Sequence, residues 1–242
     1  MSKIHFIGGE KGGVGKSVLA RLLAQYHIDR GLPFTAFDSD RSHGALLRFY
    51  GDYSQAVNLD DFASADQVME AALAADRDIL VDLAAQTAQP LQRWIEQNDL
   101  LSLAAAEQIP VLFWHVLDDG ADGIALLDAL LDRYGGGAGY VVVKNHGRGR
   151  DFSGYEASRA QARALELGAL GLDLPELNAA TMRKIDHAGT SLWAAAQSGK
   201  AGLGLMDRQR VKVWSSRAYA QFDRLADALF TAASEREAAQ SE

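Results

Sequence analysis

No cysteine occurs in the 242 residues. That excludes a disulfide framework, a thiolate metal site and a cysteine nucleophile, and it fits a reducing cytoplasm. Long apolar runs are also missing. The short run at residues 4–7 leads straight into a glycine-rich turn, so no secretory leader is expected. The most apolar later stretch, residues 100–117, contains Glu107 and Pro110. It reads as a helix end followed by a buried strand rather than a membrane span. The six histidines form no H-x-x-H or H-x-x-x-H pair, which disfavours a protein-ligated zinc site. A G-x-S-x-G elbow is absent, and the glycines do not fit G-x-G-x-x-G in any register. An α/β-hydrolase and a nicotinamide or flavin enzyme are therefore disfavoured.

What the chain has is Glu10-Lys11-Gly12-Gly13-Val14-Gly15-Lys16-Ser17, placed between an apolar strand and a helical pattern. Strand, glycine-rich turn and helix start follow in the order a phosphate-binding loop requires. Backbone N–H groups from Gly12 to Val18 can curl around an anion, and the helix N-terminus adds positive potential there. Lys16 suits the β- and γ-phosphates, and Ser17 suits Mg²⁺. The strict pattern asks for glycine at Glu10, and the loop carries a second lysine, Lys11. This combination resembles the deviant Walker A motif of the ParA/MinD superfamily of dimerising ATPases. The resemblance implies ATP and Mg²⁺ as cofactors, a slow ATPase, and a sandwich homodimer in which Lys11 reaches the partner's nucleotide.

Short apolar strands alternate with amphipathic helices, which indicates a doubly wound, mostly parallel α/β sheet with helices on both faces. At 48% hydrophobic, 242 residues suit one domain, with a nucleotide-binding core at 3–146 and a mainly helical part at 150–238. Strands are expected at 4–7, 34–37, 78–82, 111–116, 140–143 and 170–174. Helices are expected at 16–30, 45–50, 65–75, 90–98, 124–134, 155–167, 179–187, 192–197 and 211–234. Ligands in such sheets sit at the carboxyl ends of the strands. That rule gathers the loop, Asp38, Asp40, Asp82, Asp118, Asp119 and Asn145 on one edge.

Within the resemblance, Asp40 of Asp38-Ser39-Asp40 corresponds to the switch I acid that orients the attacking water and lies close to Mg²⁺. Asp38 shapes the site. The alternative is a pair of turn-forming aspartates capping the next helix. Asp82 stands at the Walker B position. Ser17, Asp40 and Asp82 form the candidate metal set, and Lys11, Lys16 and Asp40 the candidate catalytic set. The family's usual prolines after both acids are missing here. Gln86 is either a switch II element or a polar turn residue. Asn145 is the candidate reader of the adenine edge, since an amide both donates and accepts; a strand-ending asparagine is the other reading. Arg148 and Arg150 follow it. The four tryptophans read as core or interface residues.

Net charge is −8, which argues against nucleic-acid binding, but it is uneven: −10 over residues 1–139, +5 over 140–224 and −3 over 225–242. The basic third is either a face for non-specific DNA or a partner, or a set of solvated helix faces. The last helix has acidic flanks, so it is expected to pack on the domain and not to bind a membrane. The implied function is a switch for partitioning or positioning plasmid DNA or another cargo, nucleoid-associated within the cytoplasm, with a stimulating partner protein. The stretch Gly8-Gly9-Glu10-Lys11, with Trp114-His115-Val116 and Val143-Lys144-Asn145, also looks like the ParA-like ATPases encoded with plasmid mobilisation systems. The alternative is an ATP-switched regulator that docks a partner protein without binding DNA.

Overall fold

The computed structural model describes residues 2–9, 12–40, 44–197 and 202–240, with side chains to residue 226. Seven strands form one sheet in the order β3-β2-β4-β1-β5-β6-β7. They are β1 (Ile4–Gly8), β2 (Phe34–Asp38), β3 (Ser54–Ala56), β4 (Asp78–Asp82), β5 (Val111–Leu117), β6 (Gly139–Asn145) and β7 (Leu170–Leu174). Every pairing is parallel. Largely apolar strands such as β5, buried along its whole length, are what a sheet covered on both faces demands.

The helices are α1 (Lys16–Arg30), α2 (Ala45–Phe49), α3 (Phe62–Ala74), α4 (Ala88–Gln97), α5 (Leu100–Ala106), α6 (Ala121–Tyr134), α7 (Ser153–Glu156), α8 (Arg159–Glu166), α9 (Ala179–Ala188), α10 (Leu192–Gln197) and α11 (Leu205–Gln240). Two apolar cores lie on opposite faces. One packs Ile7, Trp114 and Val143 against Leu22 of α1, Ile185 of α9 and Phe222 of α11. The other packs Phe6, Phe113 and Val142 against Val68 of α3, Trp94 of α4 and Leu127 of α6. Adjacent strands β1 and β4 thus send their helices to opposite faces. The crevice this opens at their carboxyl ends is the switch point where doubly wound sheets bind ligands.

Local chemistry sets the boundaries. α1 begins after Gly15, held at φ 105, and ends at Gly31, a left-handed residue whose N–H closes on His27 and Ile28 carbonyls. α4 starts two residues before Pro90. Proline is tolerated there because first-turn N–H groups have no intrahelical acceptor. The helix expected over 155–167 is two helices, because Ser158 accepts from Gln161 N and starts α8 afresh. β6 runs two residues further than expected, so Asn145 ends the strand rather than following it. β3 and α5 were not separate expectations. α11 packs back through Phe222 and Leu225 as expected. No helix among the described residues is long and apolar enough to cross a membrane. Trp94, Trp114 and Trp214 are core residues, whereas Trp193 is 56% exposed.

At the amino-terminal edge, Trp114 Nε1 donates to His5 Nδ1 at 3.0 Å, and His5 Nε2 faces Asp78 Oδ2 at 3.7 Å. His27 joins the same carboxylate at 3.1 Å and bonds the Leu23 carbonyl at 2.8 Å. Burial alone would raise the Asp78 carboxyl, but the hydrogen bond with His27 and the nearby His5 hold it well below the usual range. Burial pushes His5 down, with Asp78 opposing, and pushes His115 down to about 4. Both depressed imidazoles refuse protons that the unfolded chain accepts below pH ~6.5. Stability is therefore full above that pH and is lost as pH falls, His115 alone contributing about 3 kcal/mol by pH ~4. Urea unfolding across this range should show the loss, and His115→Gln should flatten its slope. An unchanged slope in the variant contradicts the assignment.

Candidate functional site

Three glycines of the loop after β1 adopt backbone conformations that a side chain disfavours. Gly13 and Gly15 have φ 81 and 105, and a Cβ at Gly15 would run into the Asn145 amide. Gly9, at φ 129, lies where a Cβ would meet the Val116 carbonyl at 3.1 Å. Gly12 and Gly13 are exposed, Val14 is buried, and α1 begins with Val18 and Leu19 N–H bonded to the Gly15 carbonyl at 3.1 and 3.0 Å. Lys16 is 7% exposed, and Ser17 is half-buried beside it. Glu10 and Lys11 lie outside the described residues, as do Arg41, Ser42 and His43.

Asp82 ends β4 directly beneath this loop. It is 2% exposed, and neither carboxylate oxygen has a hydrogen-bond partner among the described residues. Burial and the nearby Asp38 push its carboxyl up to about 7; Ser17, close but outside hydrogen-bond geometry, and Lys16 draw it back down. A buried bare carboxylate is costly unless a cation joins it. The described residues contain no cluster of three or more acidic or imidazole ligands that could hold a metal by themselves. Asp82 and the Ser17 hydroxyl would fit a hard divalent cation such as Mg²⁺, which keeps waters and takes one or two carboxylates with substrate phosphates.

Asp38 and Asp40 divide their work. Asp38 Oδ1 accepts Asp40 N–H at 3.0 Å, while Oδ2 accepts Leu46 and Leu47 N–H at 2.8 and 3.3 Å. Asp38 thus caps α2, the capping role considered above for the pair, and burial raises its carboxyl against those three N–H groups. Asp40 is half-buried, next to residues 41–43. Gly44 gives the chain room here, since a Cβ would meet Asp38 Oδ2 at 2.8 Å.

Asn145 is buried against the loop. Its Nδ2 donates to the Val14 carbonyl at 2.6 Å, and its Oδ1 accepts Gly147 N–H at 3.0 Å. The amide ties loop to sheet and retains one N–H and one lone pair. Arg148 and Arg150 are exposed on the adjoining turn, which Asp119 holds through Arg150 N–H at 3.0 Å. Gln86 is exposed at φ 69, a left-handed conformation unfavourable for a side-chain-bearing residue.

Sequence reasoning missed Ser39. Its Oγ donates to the Asp82 carbonyl at 3.0 Å and accepts Ala84 N–H at 2.8 Å. Ser39 N–H bonds the same carbonyl at 3.0 Å. One hydroxyl therefore joins the segments after β2 and β4. The only sequence signal was its position between two acids.

Part of the basic third is paired with acids in space. Arg159 and Arg163 pair with Asp132, and Lys184 and Arg210 pair with Asp207. Arg183, Lys212 and Arg217 remain exposed on α9 and α11.

No protein-family model matches the chain. Its sequence is 24% identical to protein TraL of Escherichia coli, covering 93% of this chain and 99% of TraL. It is 25% identical to protein MobD of Acidithiobacillus ferrooxidans, covering 72% and 78%. The fold matches MinD in the MinC:MinD cell division complex of Aquifex aeolicus, with TM-score 0.55, 14% identity and coverage of 89% and 95%. It also matches a nucleotide-binding protein of Archaeoglobus fulgidus solved with ADP, with TM-score 0.50, 14% identity and coverage of 77% and 86%. The chain has the MinD fold. The resemblance seen in the loop thus extends to the architecture, a P-loop α/β sheet.

Ser39→Ala should cost about 1 kcal/mol and speed amide exchange at Ala84, because its N–H loses its acceptor. Unfolding and hydrogen exchange on the purified variant read both. Wild-type protection at Ala84 would contradict the bridge.

Proposed function

We propose that this chain is a Mg-ATP-dependent, dimerising ATPase switch of the ParA type that partitions or positions plasmid DNA or another cargo. The observation that carries the reading is Asp82: a buried carboxylate, without a hydrogen bond among the described residues, close to Lys16 and Ser17 of the loop. The MinD fold supports the ATPase class, and the ADP of the Archaeoglobus protein supports a nucleotide in the corresponding place. Likeness to TraL and MobD supports the plasmid mobilisation branch.

In this reading the backbone from Gly12 to Val18 cradles the phosphates, and Lys16 neutralises the β- and γ-oxygens. Ser17 and Asp82 hold Mg²⁺, with Asp40 close by. Bound Mg²⁺ supplies charge neutralisation at the transferring phosphoryl group. Asp40 orients the attacking water. Lys11 of each copy serves the nucleotide of its twin, and a cation supplied in trans is worth about 10³–10⁵ in rate. The spare donor and lone pair of Asn145 suit the adenine edge. Turnover in this reading is slow and stimulated by a partner protein; the MinC:MinD complex supports partner binding by a protein of this fold.

The acid partners of Arg159, Arg163, Lys184 and Arg210 support a second reading, in which the ATP-bound dimer docks a partner protein without touching DNA. Salt-sensitive, ATP-dependent binding to random duplex DNA separates the two. Binding at low salt supports positioning over DNA, and its absence supports the regulator.

Lys16→Ala should weaken ATP binding and lower turnover by about 10²–10³. Lys11→Ala should keep monomeric ATP binding but lose ATP-dependent dimerisation and about 10³ in turnover. Light scattering and phosphate release measure these outcomes. Dimerisation and turnover that survive Lys11→Ala contradict the trans role.

A further inference from the structure

α2 is held at both ends. Asp38 caps its start, as described above. Beyond its end, Tyr50 OH donates to Gln25 Oε1 of α1 at 3.1 Å and accepts Leu192 N–H of α10 at 3.1 Å. Trp193 N–H meets the same Gln25 oxygen at 3.0 Å. Arg48 Nη2 donates to the Asp186 carbonyl of α9 at 2.6 Å. Phe49 carries two guanidinium groups on its ring, Arg21 at 3.8 Å and Arg48 at 4.8 Å from the centroid.

Arg21 is the unusual member. It is 4% exposed and sits one turn after Ser17 on α1. Its Nη1 donates to Asp186 Oδ1 at 2.7 Å, but Nε and Nη2 have no hydrogen-bond partner among the described residues. One carboxylate and one ring face are all that hold this buried cation. Stability alone does not favour such an under-bonded charge, since a well-packed apolar residue would serve as well. What the arrangement does provide is a rigid connection from α1 and α9 to α2.

We propose that Arg21 is a positioning residue. Through Phe49 and Asp186 it makes α2 a link between the acids after β2 and the α9–α10 segment, so that a change at either end is felt at the other. Coupling between two sites is reciprocal. Ligand-dependent placement of Asp40 would be reported at α9–α10, and displacement of α9 would move Asp40. The catalytic consequence rests on the proposed function; the mechanical link does not.

The test uses Asp186→Asn, at a side chain 47% exposed and so tolerant of change, with Phe49→Leu as a second variant and Asp186→Glu as the conservative control. Hydrogen exchange is followed on the full-length protein with and without Mg²⁺ and a non-hydrolysable ATP analogue. Without nucleotide, Asp186→Asn should speed exchange at residues 45–50 by about tenfold, and Asp186→Glu should restore it. With the analogue, wild type should change its exchange at 183–193, and both Asp186→Asn and Phe49→Leu should abolish that response. Turnover should fall about tenfold in Asp186→Asn with analogue affinity within about twofold.

Unchanged exchange at 45–50 in Asp186→Asn overturns the link. So does a wild type that binds the analogue with no response at 183–193, or a variant whose affinity falls as far as its turnover. If wild type binds no nucleotide, the functional reading fails, and the nucleotide-free arm still decides the link.

Discussion

A buried carboxylate with no hydrogen bond among the described residues is the constraint on which this structure turns. Asp82 is buried at the end of β4, under the loop that carries Lys16 and Ser17. Burying such a group costs several kcal/mol unless a cation joins it. The fold accepts that cost at the crevice where doubly wound sheets open toward ligands. Neighbouring parts of the site lock around it: Ser39 bonds the Asp82 carbonyl, Asp38 fixes α2, and Asn145 fixes the loop.

Those locks share a pattern. Each uses one side chain from the carboxyl edge of one strand to hold the backbone of a neighbouring segment. Asn145 reaches Val14 across 131 positions of sequence, and Ser39 reaches Ala84 across 45. The parallel sheet makes such reach routine, because its strands end at one level whatever their separation in the chain. The loop is accordingly tied to the sheet through Asn145, and α2 to the end of β2 through Asp38.

Much of this was legible in the sequence. The phosphate loop fixed β1 and α1 to within a residue, because strand, glycines and helix start are all local signals. The run Asp78–Asp82 was equally clear, since an apolar strand closed by an acid has few other meanings. β3 was invisible: three residues on an edge, two of them exposed, carry no periodicity. The break before α8 was hidden because a capping serine competes with helix only in its local geometry. The ion pairs of the basic third were hidden for a related reason. Composition counts Arg159, Arg163, Lys184 and Arg210, but only the fold brings Asp132 and Asp207 to them. Ser39 and Arg21 were missed because their roles lie entirely in contacts made across the sequence.

The most direct test of the central claim is calorimetric titration of ATP into wild-type and Asp82→Asn protein, with and without Mg²⁺. The account predicts that Mg²⁺ tightens ATP binding to wild type by at least about tenfold, roughly 1.4 kcal/mol, and that Asp82→Asn loses this gain while still folding. Equal affinity with and without Mg²⁺ in wild type, or a Mg²⁺ effect undiminished in Asp82→Asn, would contradict it.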